Sequence, residues 1–154
     1  MPQFKTSKEI FAECQKDGLV VGLEEIDPAK IKHMISLAMA DLRAAEQLTP
    51  LTEKDPYEWS VLYKMYYDAF HELAEAFLRL NKLKCSNHQC LFAYLCENHP
   101  ELELSWNILE KARTKRNGIL YYGKPATEED WKEIELPIKI YINTLKKSIE
   151  EKLE

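Results

Sequence analysis

The fold is decided by residues 56–81, which read PYEWSVLYKMYYDAFHELAEAFLRLN. This stretch contains no glycine and no proline after its first position, so nothing in it interrupts a helix. Its large apolar side chains recur at helical spacing and cover about half of the helix surface. They are Trp59, Leu62, Tyr63, Tyr66, Phe70, Leu73, Phe77 and Leu80. We therefore predict that this segment is the central helix of the protein.

Start and stop signals place the other helices around this one. An aspartate followed by a proline, a favoured helix start, occurs at Asp27-Pro28 and again at Asp55-Pro56. Residues 127–130 have the threonine and acidic residues of a capping box. The predicted helices cover about 28–47, 56–81, 88–97, 101 or 105 to 122, and 128 onwards. Short connections between long amphipathic helices predict an all-α, antiparallel up-and-down bundle of four to five helices.

Length and composition are typical of one globular domain. The chain has 154 residues, of which 45% are hydrophobic and 31% are charged, so it is long enough for a substantial core. We divide it into an N-terminal extension, residues 1–27, and a helical bundle, residues 28–154. The net charge of −5 excludes a surface that is basic throughout. Any nucleic-acid site must therefore be a local basic patch on an acidic protein.

The cysteines do not form a recognisable metal or redox motif. They are Cys14, Cys85, Cys90 and Cys96. No two of them form a C-x-x-C pair, and their spacing to His88 and His99 matches no standard zinc site. We predict reduced, largely buried thiols, no metal and no cofactor. The sequence has no signal peptide and no apolar run near the roughly 18 residues of a membrane span, which predicts a cytoplasmic protein without membrane contact.

Residues with possible chemistry are concentrated in residues 111–125, which read KARTKRNGILYYGKP. The glycine and proline near its end predict a helix stop, because glycine adopts the left-handed cap and proline cannot continue the helix. Asn117 and Tyr121 are four residues apart and share a helix face, which Arg116 flanks. A guanidinium, an amide and a phenol together suit a phosphate or the edge of a nucleobase.

Four further residues are candidate ligand-binding residues. They are Arg113, Lys115, Tyr122 and His88. For some of the polar residues a structural role is an alternative. Lys111 and Lys115 are favoured at a helix C-terminus by its partial negative charge alone. His88 either reaches toward Arg116 or bonds to a nearby backbone group at the start of its helix. His71 is more often a structural histidine than a ligand.

Three stretches together resemble the HEPN domain family. Residues 116–123, RNGILYYG, are similar to the signature of the last-but-one helix in an archaeal-type branch of that family. Residues 63–76, YKMYYDAFHELAEA, are similar to its core helix, and residues 86–88 look like the start of the next helix. The resemblance covers about residues 29–150, and the order of the helices fits throughout. It implies the same helical bundle.

The resemblance also implies a site and a function. HEPN domains typically carry an arginine, a polar residue beside it and a histidine four to six positions later, which form an RNA-cleaving site across a dimer. Arg116 matches the arginine and Asn117 the polar residue, but Tyr121 stands in place of the histidine. Tyrosine transfers protons poorly near neutral pH, because its pKa is about 10. We therefore expect a homodimer that binds RNA or a nucleotide in a groove of Arg116, Asn117 and Tyr121.

The resemblance further implies a nucleotidyltransferase partner, as in the toxin–antitoxin or defence pairs of this family. Two alternatives remain open. One is an active metal-independent endoribonuclease, in which Arg116, Asn117 and Tyr121 are catalytic or His88 replaces the missing histidine. The other is a structural helical interaction protein, in which Arg116 only pairs with an acid such as Asp68 or Glu72.

Overall fold

The computed structural model describes residues 4–52 and 55–153, and within them the protein is an all-α helical bundle. Its helices are α1 (Ser7–Lys16), α2 (Pro28–Leu48), α3 (Pro56–Leu80), α4 (His88–Asn98), α5 (Trp106–Tyr121) and α6 (Glu128–Leu153). Two short 3₁₀ turns, Thr49–Leu51 and Pro100–Leu102, follow α2 and α4. The predicted fold class is confirmed, and α1 makes six helices within the described residues.

The central position of α3 is confirmed. This helix contacts α2, α4, α5 and α6, and most of its apolar side chains are buried. Leu62, Phe70 and Leu73 are fully inaccessible to solvent. Because α3 touches every long helix of the bundle, its polar side chains also meet residues from several helices.

Local signals start the helices where the sequence predicts. The side chains of Asp27 and Asp55 accept hydrogen bonds from the first backbone N–H groups of α2 and α3. Thr127 and Asp130 exchange the two hydrogen bonds of a capping box at α6. Pro137 lies inside α6, which continues past it. At the start of α4 the Asn87 side chain accepts from the Cys90 N–H.

The N-terminal residues are joined to the bundle at several points. A disulfide links Cys14 of α1 to Cys90 of α4 across 76 positions of sequence. The prediction of reduced thiols is therefore wrong for these two cysteines, whereas Cys85 and Cys96 are free. Spacing along the chain did not reveal the pair, because packing of α1 on α4 brings the two sulfurs together.

A small two-stranded sheet also joins the N-terminal residues to the bundle. Strand β1 (Val21–Gly22) pairs antiparallel with β2 (Leu83–Lys84), which lies between α3 and α4. The Leu23 N–H donates to the Lys82 carbonyl and extends the pairing. Residues 4–23 thus form part of the same packed body as the helices that follow. In the described residues, no helix is both long enough and apolar enough to cross a membrane.

Candidate functional site

The C-terminal end of α5 is shaped by two glycines. Gly123 has a left-handed φ of +62°, which confirms the predicted stop. The chain then folds back, and the Lys124 N–H donates to the Gly118 carbonyl at 3.0 Å. Gly118 is buried, and a Cβ there would lie 3.6 Å from the Lys124 Cβ. The returning chain therefore packs on α5 and holds Tyr122 and Lys124 beside it.

A groove runs along one side of α5, and we call it the α5 groove. It lies between α5 and α6 and has a volume of about 670 Å³. Its polar lining residues are Tyr63, Lys111, Arg113, Thr114, Lys115, Asn117, Tyr122, Lys124, Asp130 and Glu133, and its apolar ones include Phe4, Ile108 and Ile134. Four cationic side chains thus stand against two carboxylates in the described lining, on a protein whose net charge is −5.

Ion pairs in the α5 groove are partly or largely exposed to solvent. Lys111 donates to Glu133 at 2.8 Å, and each of these side chains is about 60% exposed. Lys115 lies 3.2 Å from Asp130. Partial burial raises the pKa of Asp130, but hydrogen bonds from Thr127 and from the Lys115 ammonium lower it by more. Among the described residues, Lys124 has no ion-pair partner.

The opposite side of α5 meets a group of aromatic and imidazole rings, which we call the histidine cluster. It consists of Tyr67 and His71 from α3, His88 from α4 and Arg116 from α5. The two imidazoles stack with their centroids 3.7 Å apart. The Tyr67 hydroxyl lies 2.8 Å from His88 Nδ1, and the Arg116 guanidinium carbon lies 5.1 Å from the centre of the Tyr67 ring.

Arg116 is incompletely paired within the histidine cluster. Its Nε lies 3.8 Å from an oxygen of Asp68, which is too long for a hydrogen bond. This Nε is buried and has no hydrogen-bond acceptor among the described residues. His71 Nε2 is also buried without a hydrogen-bond partner, 3.6 Å from a Glu75 oxygen. Two polar atoms of the cluster therefore lack the hydrogen bonds that buried donors and acceptors usually have.

Arg113 lies between the groove and the cluster. Its guanidinium donates two hydrogen bonds of 3.0 Å to the carboxylate of Glu110, which also accepts one from Gln89 at 3.1 Å. Glu110 is only 2% exposed, so this fork is a buried, geometrically well-formed pair. The pair fixes Arg113 near His88 and at the same time beside the α5 groove.

Both histidines of the cluster are neutral at pH 7. Burial lowers the pKa of His71 to about 3, with further lowering by His88 and Arg116. Burial also lowers the pKa of His88 to about 4, and Arg116 and Arg113 add to the effect. Burial raises the pKa of Tyr67, which keeps its proton. His88 Nδ1 and the Tyr67 hydroxyl can therefore share a hydrogen bond with either group as the donor.

The sequence-predicted site residues fall into three places. Arg116 and His88 both contact Tyr67 in the histidine cluster. Arg113, Lys115, Asn117 and Tyr122 line the α5 groove. Tyr121 is 70% exposed, and its recorded ring contact is with Tyr122. Arg116 and Asn117, although adjacent in sequence, therefore belong to two different sides of α5.

Some residues of both sides were missed by the sequence analysis. Tyr67 and His71 are four apart on α3 and share a face, but nothing in the sequence identified His88 as their neighbour. Lys124 follows the helix stop, where only the folded-back chain brings it into the groove. In the described part of the chain, no three histidine, cysteine, aspartate or glutamate side chains are arranged to hold a metal ion.

Comparisons with known proteins do not add to this description. No model of a protein family matches the chain, and no curated protein or solved structure matches it.

Proposed function

We propose that this protein is a HEPN-like module that binds RNA or a nucleotide in the α5 groove. The observation that carries the proposal is the charge of that groove: its lining has four cations and two carboxylates, Arg113 is paired with Glu110 behind the lining, and Lys124 has no ion-pair partner among the described residues. A concave site lined by one sign of charge concentrates the field and attracts ligands of the opposite sign. The order of HEPN-like stretches in the sequence supports a ligand that carries phosphate.

The existing ion pairs do not prevent a phosphate from binding. Exposed pairs such as Lys111 with Glu133 contribute about 0–1 kcal/mol, so a phosphate can replace the carboxylate at small cost. Lys124 is exposed and has no ion pair to break within the described residues. We assign Lys124 and Lys115 to contacts with phosphate, which position a ligand without reading its sequence.

Asn117 and Tyr122 supply the remaining contacts in the proposal. An amide both donates and accepts hydrogen bonds, so Asn117 suits the edge of a nucleobase. Tyr122 is 71% exposed and presents its ring as a surface on which a base can stack. Both residues line the groove beside the cations. This combination favours a nucleotide over an inorganic anion.

The homodimer stays part of the proposal. Leu120 and Tyr121 are exposed at the end of α5, and such apolar side chains support an interface there. Two copies that meet at this end would place Arg116, Asn117 and Tyr121 of each chain close to those of the other. The nucleotidyltransferase partner and the toxin–antitoxin or defence role rest on the family resemblance alone.

Binding of a short single-stranded RNA, measured by fluorescence anisotropy at two salt concentrations, tests the proposal. We expect affinity to fall as salt rises, because phosphate contacts release counterions. Lys124→Ala should weaken binding and make the salt dependence shallower. Lys8→Ala, an exposed lysine of α1 outside the groove lining, is the matched control. Absence of binding at low salt would contradict the proposal.

A second candidate function, metal-independent RNA cleavage, is favoured by the position of His88. In this candidate His88 of α4 would take the place of the histidine that the motif lacks on α5, because both His88 and Arg116 contact Tyr67. If Tyr67 accepts from the Nδ1–H of His88, the Nε2 lone pair is left to act as a base. His88 is neutral at pH 7, which is the form that a base requires, but its pKa of about 4 makes it a weaker base than an ordinary imidazole. Arg116 would stabilise charge on the phosphate.

Cleavage by this route is a transesterification at one phosphate of the RNA. His88 would take the proton of a ribose 2′-hydroxyl, and the 2′-oxygen would attack the adjacent phosphorus. The bond from phosphorus to the 5′-oxygen breaks, and that oxygen takes the proton from the His88 imidazolium, which returns to its neutral form. Products with a 2′,3′-cyclic phosphate that disappear in His88→Ala but persist in His33→Ala would support this candidate.

The cytoplasmic location also stays a proposal. The Cys14–Cys90 disulfide weighs against it, because most cytosolic proteins keep their thiols reduced. Blocking free thiols in intact cells before extraction, followed by mass spectrometry, tests whether these two cysteines are paired there.

A further inference from the structure

The α5 groove has one wall that does not come from the bundle helices. Phe4 lies in the segment that precedes α1, and it lines the groove together with residues of α5 and α6. Its side chain is half-buried. Phe4 and Tyr122 are therefore two aromatic side chains in the lining that do not belong to a helix, one before α1 and one after α5.

The segment that carries Phe4 is held by contacts on both sides. The Lys5 carbonyl accepts a 2.7 Å hydrogen bond from the indole N–H of Trp106, which is the first residue of α5. Directly after it, α1 packs on α4. Ser7 donates to Glu97 at 2.9 Å, and the ring of Phe11 packs against that of Tyr94. The position of Phe4 thus depends on how α1 is docked.

The disulfide is the covalent part of this docking. Cys14 and Cys90 are both buried, and their bond fixes α1 to the helix that also carries His88. Without the bond, the remaining contacts between α1 and α4 are noncovalent. Loss of the cross-link should therefore loosen α1 and the segment before it, without unfolding the bundle around α3.

We propose that the N-terminal segment forms one wall of the binding site, in which Phe4 stacks on an unpaired base of the ligand. The Cys14–Cys90 disulfide holds this wall in place. This inference rests on the proposed function of the α5 groove. A phenyl ring offers no hydrogen bonds, so Phe4 adds affinity without discriminating among bases. The ligand is then single-stranded RNA in preference to a duplex, whose bases are already stacked on one another.

The same arrangement makes binding sensitive to redox conditions. A dithiol reductant converts the disulfide into two thiols by thiol–disulfide exchange, passing two electrons and two protons to the cysteine sulfurs. The reductant itself becomes a cyclic disulfide. Because both sulfurs are buried, the exchange requires α1 to open transiently from α4. Reduced protein should bind RNA more weakly than oxidised protein, since the wall must be ordered again on binding.

The test measures the binding of a fluorescent oligouridylate to the full chain at low salt. Phe4→Ala should weaken binding about tenfold, as expected for the loss of one base–aromatic contact. Tyr57→Ala removes an aromatic residue that is 71% exposed and lies outside the groove lining, and it should bind like the wild type. A duplex of the same length should bind less tightly than the single strand, and Phe4→Ala should reduce that difference.

The disulfide is tested separately by reduction and by the double variant Cys14→Ala/Cys90→Ala. Either change should weaken binding about threefold, because one more segment has to be ordered on binding. The double variant should no longer respond to dithiol, whereas Cys96→Ala, which removes a free thiol, should respond as the wild type does. Circular dichroism at the assay temperature checks that each variant is folded.

The outcomes separate this inference from the proposed function. If Lys124→Ala weakens binding but Phe4→Ala does not, the groove binds RNA and the proposed stacking of Phe4 on a base is wrong. If Phe4→Ala weakens binding but reduction and the double variant do not, the control by the disulfide is wrong. If the wild type binds no oligouridylate at low salt, the proposed function itself is wrong.

Discussion

The two sides of α5 treat charged residues in opposite ways. In the α5 groove, Lys111 and Glu133 form an ion pair in which both side chains are about 60% exposed. On the other side, Glu110 is 2% exposed and is held by Arg113 and Gln89. The Lys111–Glu133 pair of the groove keeps its charges in water, whereas the Arg113–Glu110 pair buries a carboxylate with its hydrogen bonds satisfied.

This difference indicates separate roles for the two sides. Charges in water exchange partners at little cost, so the groove side is suited to binding a ligand. A buried pair loses several kcal/mol when one partner is removed, so the other side is suited to fixing the helices. The histidine cluster belongs to this second kind of environment, because burial has suppressed the charge on His71 and His88. Arg116 joins the second side although its neighbour Asn117 joins the first.

The largest effect should come from the same substitution made on the two sides. Glu110→Ala leaves Arg113 and Gln89 without their acceptor, and we expect it to lower the free energy of unfolding by about 3 kcal/mol. Glu133→Ala removes an exposed partner of Lys111 and should cost less than about 1 kcal/mol. Urea unfolding of both variants measures the difference. Equal losses would show that the two sides do not differ in the way described.

Acid should destabilise the protein through the histidine cluster. The folded-state pKa values of His71 and His88, about 3 and about 4, lie below the ordinary value of 6.5. As pH falls below 6.5, the two histidines therefore bind protons in the unfolded chain before they do so in the folded chain. Stability is fully present above that pH and is lost toward pH 4, by about 2 kcal/mol between pH 7 and pH 5.5 for the two histidines together.

Carboxyl groups near the cluster act in the opposite direction. Burial raises the pKa of Asp68, Glu72 and Glu75, so these groups take up protons in the folded state and offset part of the loss in the more acidic range. Unfolding by urea at several pH values measures the slope. His71→Gln should flatten it, while His33→Gln, at an exposed position, supplies the control. An unchanged slope in His71→Gln would contradict the assignment.

Ligand affinity should respond to the groove side more than to the buried side. We expect Lys124→Ala to weaken RNA binding about tenfold and to reduce the salt dependence by about one phosphate contact. Tyr67→Phe changes a buried residue of the histidine cluster and should leave affinity within about twofold, which is the scatter expected for a site without contact to the ligand. Anisotropy titrations at two salt concentrations distinguish the two. A larger loss in Tyr67→Phe would place the ligand at the histidine cluster instead.

The smallest effect should come from removing one hydroxyl on each side. Tyr67→Phe deletes the hydrogen bond to His88 and should cost about 1 kcal/mol of stability. Tyr121→Phe changes a side chain that is 70% exposed and should cost less than about 0.5 kcal/mol. Thermal unfolding followed by circular dichroism is sensitive enough to separate these values. If Tyr67→Phe is as stable as the wild type, the bond to His88 does not stabilise the fold.

Much of the fold could be read from local sequence. The uninterrupted apolar repeat of residues 56–81 predicted the central helix, because helical spacing brings those side chains to one face whatever the partner is. The caps at Asp27 and Asp55 and the left-handed Gly123 were predicted for the same reason. Each of these features depends on residues within about one or two turns of one another, so a short stretch contains the whole cause.

The candidate site was predicted only in part. The segment 111–125 was predicted to carry the site, and several of its residues line the α5 groove. The sequence did not predict that this segment contributes residues to two sides of α5. Arg116 and Asn117 differ by about 100° around the helix, and only the neighbouring helices decide which side is buried. His71 and His88 lie 17 positions apart and meet only because α4 packs on α3.

By itself, the sequence determined where the helices begin and end, which of their faces are apolar, and which segment concentrates cationic and polar side chains. Tertiary structure alone decided that Cys14 bonds to Cys90, that two neutral imidazoles stack beside Arg116, and that Phe4 lines the groove. The physical reason is the range of the interactions. Caps and periodicity act between near neighbours in the chain. Disulfides, ring stacking and groove walls depend on how whole helices are oriented and packed against each other.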